Sequence, residues 1–99
     1  MKIYQSEVFK KWLLDLKDLK LKASILARLE RIRLSDNLGD FKSIDKDIKE
    51  LRFFNKGGAR IYFNFKNGVL IVLLNAGFKD TQEKDIKKAK ELLKEFDDE

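Results

Sequence analysis

The dipeptide Asn67-Gly68 constrains this chain more than any other feature. It stands between two strand-like runs. Asn-Gly is the favoured centre of a two-residue hairpin, because both residues tolerate the positive φ that the turn requires. Before it, residues 59–66 alternate, with Ile61, Phe63 and Phe65 on one face and Arg60, Tyr62 and Asn64 on the other. After it, residues 69–74 are apolar throughout, which suits a central strand covered on both sides. A third run, residues 49–54, leads into the turn signal Asn55-Lys56-Gly57-Gly58. Three strands joined so tightly form an antiparallel meander.

The flanks change period from two to that of a helix. Residues 2–5 read as a short strand, and Ser6 is placed to cap a first helix carrying Val8, Phe9, Trp12, Leu13 and Leu16. A second helix is expected over about residues 19–34, with Leu21, Ile25, Leu26, Leu29 and Ile32 as its apolar stripe. Residues 35–46, rich in Asp, Asn, Ser and Gly, read as a loop. Asp80 or Thr81 is expected to cap a last helix, with Glu83 completing a capping box from Asp80. Ile86, Ala89, Leu93 and Phe96 form its stripe, and residues 97–99 read as a solvated tail. The expected order is β-α-α-β-β-β-α, an α+β fold with an antiparallel sheet packed against helices. At 99 residues, the chain is expected to form one domain over residues 1–99.

The residue inventory removes whole classes of chemistry. Histidine and cysteine are absent, so serine–histidine and thiol nucleophiles, thiolate metal sites and disulfides are excluded. No phosphate-binding P-loop and no dinucleotide glycine motif is present. No cofactor and no metal are expected. No apolar run approaches the roughly 20 residues that span a bilayer, and the first residues lack a signal-peptide stretch. The expectation is therefore cytoplasmic, with no membrane partner. Charge is uneven: residues 1–78 hold 16 Lys or Arg against 9 acids, while residues 79–99 hold 6 against 8. Such a surplus attracts phosphate backbones, although it also serves solubility.

The cations on the sheet segment are the candidates for chemistry. Arg52 lies on the first meander strand, Arg60 on the next, and Lys79 directly after the last. Two arginines and a lysine in one concavity can hold a phosphate and stabilise charge developing on it. Tyr62, on the face of Arg60, is a candidate to stack on a base or move a proton. The bland alternative has Arg52 and Arg60 paired with Glu50 or Asp side chains. Trp12, Phe53, Phe54 and Phe78 read as packing.

These residues resemble a known family. Glu50-Leu51-Arg52, Gly58-Ala59-Arg60-Ile61-Tyr62-Phe63, the apolar strand, and Gly77-Phe78-Lys79-Asp80-Thr81-Gln82-Glu83-Lys84-Asp85-Ile86 with Ala89 are similar to the phage-derived addiction module killer group. That group lies close to HigB-type toxins in the RelE/ParE superfamily. Phe9, Trp12, Leu13, Leu16, Lys17 and Asp18, then residues 25–33, extend the match over nearly the whole chain. The resemblance implies a RelE-like fold, mRNA interferase activity, often on the ribosome, and a cognate antitoxin of helix-turn-helix type. It places catalytic roles on Arg52, Arg60 and Lys79. Tyr62, Lys56, Arg31 and Arg33 are the accompanying RNA-binding candidates. The alternatives within the same resemblance are a ParE-like toxin acting on DNA gyrase by protein contact and a catalytically degenerate RNA-binding module. The chain departs from the pattern at Ala59 and at Asn75-Ala76. Beyond Lys79 its only aromatic is Phe96, where some members carry a proton-donating Tyr or His. Tyr62, Lys56 or an acid is left for that role.

Overall fold

The computed structural model describes residues 1–68 and 70–98. Five strands form one mixed sheet in the order β1-β5-β4-β3-β2. They are β1 (Lys2–Gln5), β2 (Phe41–Ser43), β3 (Lys49–Arg52), β4 (Arg60–Lys66) and β5 (Leu70–Gly77). Three helices accompany them: α1 (Glu7–Asp15), α2 (Leu19–Ser35) and α3 (Gln82–Asp97).

The hairpin forms as expected. Asn67 and Gly68 both take positive φ, 56° and 70°, and β4 pairs antiparallel with β5. Alternation along the strands sorts side chains onto two cores. Leu51, Ile61, Phe63, Ile71, Leu73 and Ala76 pack with Phe9, Ile25 and Ile32 of α1 and α2. Tyr62, Val72 and Leu74 pack on the other face with Ala89, Leu92 and Leu93 of α3. The register steps from Tyr62↔Asn75 to Phe63↔Leu73 and so skips Leu74. This bulge lets Leu74 and Asn75 both serve the α3 face. Because β5 is buried on both sides, its run is apolar without alternation.

The helix starts follow from capping. Ser6 accepts a hydrogen bond from the Phe9 amide at 3.0 Å, and Asp18 accepts from Leu21 at 3.0 Å. Asp36 ends α2 in the left-handed region, at φ 62°.

Several expectations need correction. The sheet is mixed, not antiparallel, because β1 runs parallel to β5. The element order gains a strand, β2, where a loop was expected over residues 35–46. Its three residues are all exposed. Backbone pairing to the open edge of β3 creates it, and no apolar pattern marks such a strand. β3 stops at Arg52, leaving Phe53 and Phe54 beyond its end. Leu26 is 49% exposed and leaves the α2 stripe. The capping box is absent: Asp80 lies in a short 3-10 turn, and Thr81 is the N-cap of α3 without a side-chain cap bond. Thr81 instead donates to the Asp85 carboxylate at 2.6 Å. Val69 of the expected strand and Glu99 of the expected tail lie outside the described residues. Among the described residues, no helix is long and apolar enough to cross a membrane.

Candidate nucleic-acid interface

Register brings the two arginines together. Arg52 on β3 stands directly opposite Arg60 on β4, and Arg60 opposite Gly77 at the end of β5. Directly opposed side chains of like charge repel across a strand pair, so each arginine is held by an acid from elsewhere. Arg52 Nη2 donates to Asp40 Oδ1 at 3.2 Å. Arg60 Nε faces Glu50 Oε1 at 3.7 Å, and its Nη1 donates to the Gly58 carbonyl at 3.1 Å. The pairing alternative foreseen from sequence is thus partly realised. It does not consume the guanidinium groups, because Arg52 Nη1 and Arg60 Nη2 make no hydrogen bond among the described residues.

Both arginines open onto a cleft of about 1070 Å³ at this end of the sheet, which Lys79 also lines. The floor and rim come from Phe53, Phe54, Asn55, Gly57, Gly58 and Phe78. Asp80 is the one carboxylate among the lining residues. Lys79 makes no ion pair among the described residues and is exposed.

The walls are tied together by backbone. The Lys79 amide donates to the Gly57 carbonyl at 3.0 Å, which fixes the 3-10 turn against the β3–β4 turn. The Asn55 side chain accepts from the Ala59 amide at 2.8 Å and closes that turn from within. Gly58 sits at φ +61°, and a Cβ there would lie 3.2 Å from Arg60 Nη1. Glycine therefore provides both the left-handed turn and room for the guanidinium.

Other expected residues fall elsewhere. Tyr62 is completely buried under α3, with its hydroxyl unpartnered among the described residues. It therefore offers no ring for base stacking. Burial first, then the charges of Glu50 and Asp85, push its pKa well above the ordinary tyrosine value and hold the phenol neutral. The shared face with Arg60 was read correctly, but α3 covers that face at Tyr62 and leaves it open at Arg60. Because no protein group engages the hydroxyl, Tyr62→Phe is expected to change stability by less than about 1 kcal/mol. Thermal unfolding would check this, and loss of activity in a folded Tyr62→Phe protein would restore the residue to the site.

Arg31 and Arg33 are not among the residues that line the cleft. Both are exposed near the end of α2, and Arg33 is engaged by Glu30. The Arg33 carbonyl accepts from the Met1 amine, beside the Leu70 end of β5. The cleft lies at the Gly77 end of β5, which is about 23 Å from the Leu70 end at ~3.3 Å per residue. Lys56 is exposed in the turn, next to the lining residues.

Sequence reasoning missed Arg28, did not single out Asp40 by number, and did not place Phe54 at the cleft. Arg28 bridges the residue 38–40 loop and β3, donating to the carbonyls of Leu38, Asp40 and Arg52, and lies 4.4 Å above the Phe53 ring. Burial is the first cause holding its pKa below the ordinary arginine value. Asp40 and Glu50 hold the two site arginines, and Glu50 is only 1% exposed. Phe54 was read as packing, yet it is 89% exposed at the cleft. A phenylalanine just past a strand end, next to a buried one, gave a faint signal for this alternation.

The family described as "Phage derived protein Gp49-like (DUF891)" matches residues 11–94. An uncharacterized protein of Haemophilus influenzae is 48% identical over 88 residues, spanning 89% of this chain and 88% of that protein. The matched segment carries β2 to β5, α2, most of α3 and every residue that lines the cleft; on this match the chain belongs to the phage-derived Gp49-like family, which lies within the RelE/ParE-like toxin superfamily.

Proposed function

We propose that this protein is the toxin of a type II toxin–antitoxin pair, of the HigB-like kind. In this reading, residues 1–99 form one cytoplasmic endoribonuclease domain that cuts mRNA, on the ribosome, without a metal. A cognate antitoxin of helix-turn-helix type restrains it. The observation that carries the reading is the convergence of Arg52, Arg60 and Lys79 on one cleft with a single carboxylate, Asp80.

The reaction that suits these groups is internal transfer at an RNA phosphate. The 2′-oxygen attacks the adjacent phosphorus, a new P–O2′ bond forms, and the P–O5′ bond breaks. Asp80 takes the proton from the 2′-hydroxyl, and Lys79 gives a proton to the departing 5′ oxygen. Both are restored by exchange with solvent. Arg52 and Arg60 hold the non-bridging oxygens and neutralise the charge that accumulates there, a role that needs no proton transfer from a guanidinium. Three phosphate-directed cations also set the salt dependence. For single-stranded RNA the slope of log K against log salt is expected to be about −2.

The decisive experiment is induced expression of the wild type beside Lys79→Ala, with 5′-end mapping of total mRNA. Lys79 is exposed, so the variant keeps the fold. Growth arrest with translation-dependent cuts in the wild type alone supports the reading. Arrest in both strains, with intact mRNA and DNA damage, transfers the protein to the gyrase-directed class. RNA binding without cuts or arrest marks a degenerate binding module.

A further inference from the structure

We propose that Phe54 is a stacking platform for an unpaired nucleobase, one nucleotide step from the phosphate held by Arg52 and Arg60. The proposal rests on the RNA reading above and names a subsite within it.

Phe54 is the most exposed large apolar side chain among the described residues, at 89%. Its outward placement follows from that of its neighbour. Phe53, its neighbour, is buried under the Arg28 guanidinium, and the Phe53 amide donates to the Ala59 carbonyl at 3.1 Å. With Phe53 turned inward, the extended chain turns Phe54 outward, over the cleft mouth. Among the described residues the ring belongs to neither hydrophobic cluster and pairs with no other aromatic ring. The fold therefore gains little from it, and water contacts most of its surface.

The surroundings select the occupant. Phe54 follows Arg52 by two residues, so their backbones are at most about 7 Å apart. Arg60 and Lys79 complete a cationic lining around the same opening. A protein side chain docking on the ring would have to desolvate those cations. A nucleotide satisfies both halves of the site, its phosphate on the arginines and its base face on the phenyl ring. Stacking reads any base with a free face, so this subsite selects unpaired RNA and not a particular sequence.

The test measures binding of a short, fluorescently labelled, single-stranded oligoribonucleotide carrying 2′-O-methyl groups, which block the attacking oxygen. Wild type, Phe54→Ala, Phe54→Trp and Lys79→Ala are compared. Phe54→Ala is expected to weaken binding roughly 5- to 100-fold, and Phe54→Trp to retain it. An oligonucleotide with one abasic site at the stacked position should bind the wild type more weakly while leaving Phe54→Ala almost unaffected. Unchanged affinity in Phe54→Ala, or an abasic loss that is equal in both proteins, overturns the platform. Weakening by Lys79→Ala alone would remove Phe54 and keep the RNA site. No effect of Lys79→Ala, Phe54→Ala or salt would remove the RNA site itself.

Discussion

Arg60→Ala is expected to lower RNA cleavage by roughly 100- to 1000-fold, the usual cost of removing one donor aimed at developing charge. The same change is expected to destabilise the fold by about 3–5 kcal/mol, for a separate reason. Glu50 is 1% exposed, and its partners are Arg60 at 3.7 Å and the Gln82 amide at 3.0 Å. Without Arg60, a buried carboxylate keeps one neutral donor and no cation. The pair is asymmetric. The Arg60 side chain is 15% exposed at the cleft, so Glu50→Gln leaves it the Gly58 carbonyl and the opening to solvent. Glu50→Gln is therefore expected to be mild in stability and active in cleavage. The double variant Arg60→Ala with Glu50→Gln should regain most of the lost stability and none of the activity. Thermal unfolding of the four proteins, with cleavage measured where all are folded, separates the two roles. Full cleavage by Arg60→Ala would end its phosphate role. An unchanged melting temperature would end the claim that Glu50 depends on it.

The candidate site was legible because a hairpin converts sequence spacing into spatial register. Once Asn67-Gly68 and the residue 55–58 turn fix which strands pair, Arg52 must meet Arg60, and Lys79 must follow the end of β5. What alternation cannot convey is which part of a face a helix will cover. Tyr62 and Arg60 share a face, but α3 seals the one and leaves the other at the margin. Glu50 shows the same limit, since a glutamate on an outward-reading position becomes buried once α3 lies over it. β2 was hidden for another reason: it is a three-residue edge strand that forms by backbone pairing and leaves its residues largely open to solvent, too short for any periodicity to record it. The parallel direction of β1 depends on a path of two helices and three strands before the chain reaches β5, and local pattern does not encode that path.

Gly77→Ala is the second change with a large expected effect, and it reaches the cleft through packing. Gly77 ends β5 opposite Arg60. A Cβ at this position would lie 1.9 Å from Asp85 Oδ2 and 2.7 Å from Asp85 Cγ, so the carboxylate must move. It is not free to do so cheaply. Thr81 donates to it at 2.6 Å, and the Asp85 carbonyl accepts from the buried Asn75 amide at 3.0 Å. The first turn of α3 is thus docked on the end of β5 by a side chain that occupies the space of the missing methyl group. Overpacking of this kind costs about 1–3 kcal/mol, a fall in melting temperature of roughly 4–8 °C per kcal/mol. The displacement also passes to the 3-10 turn holding Lys79 and Asp80, directly ahead of α3. A shift near 1 Å in catalytic groups can cost on the order of 100-fold in rate, and Gly77→Ala is expected to show a loss of that order. Asp85→Ala removes the obstructing carboxylate, so Gly77→Ala combined with Asp85→Ala should be more stable than Gly77→Ala alone. Unfolding curves for the three variants would decide the matter. Equal stability of Gly77→Ala and wild type would show that the close approach of Asp85 to Gly77 does not hold α3 in place.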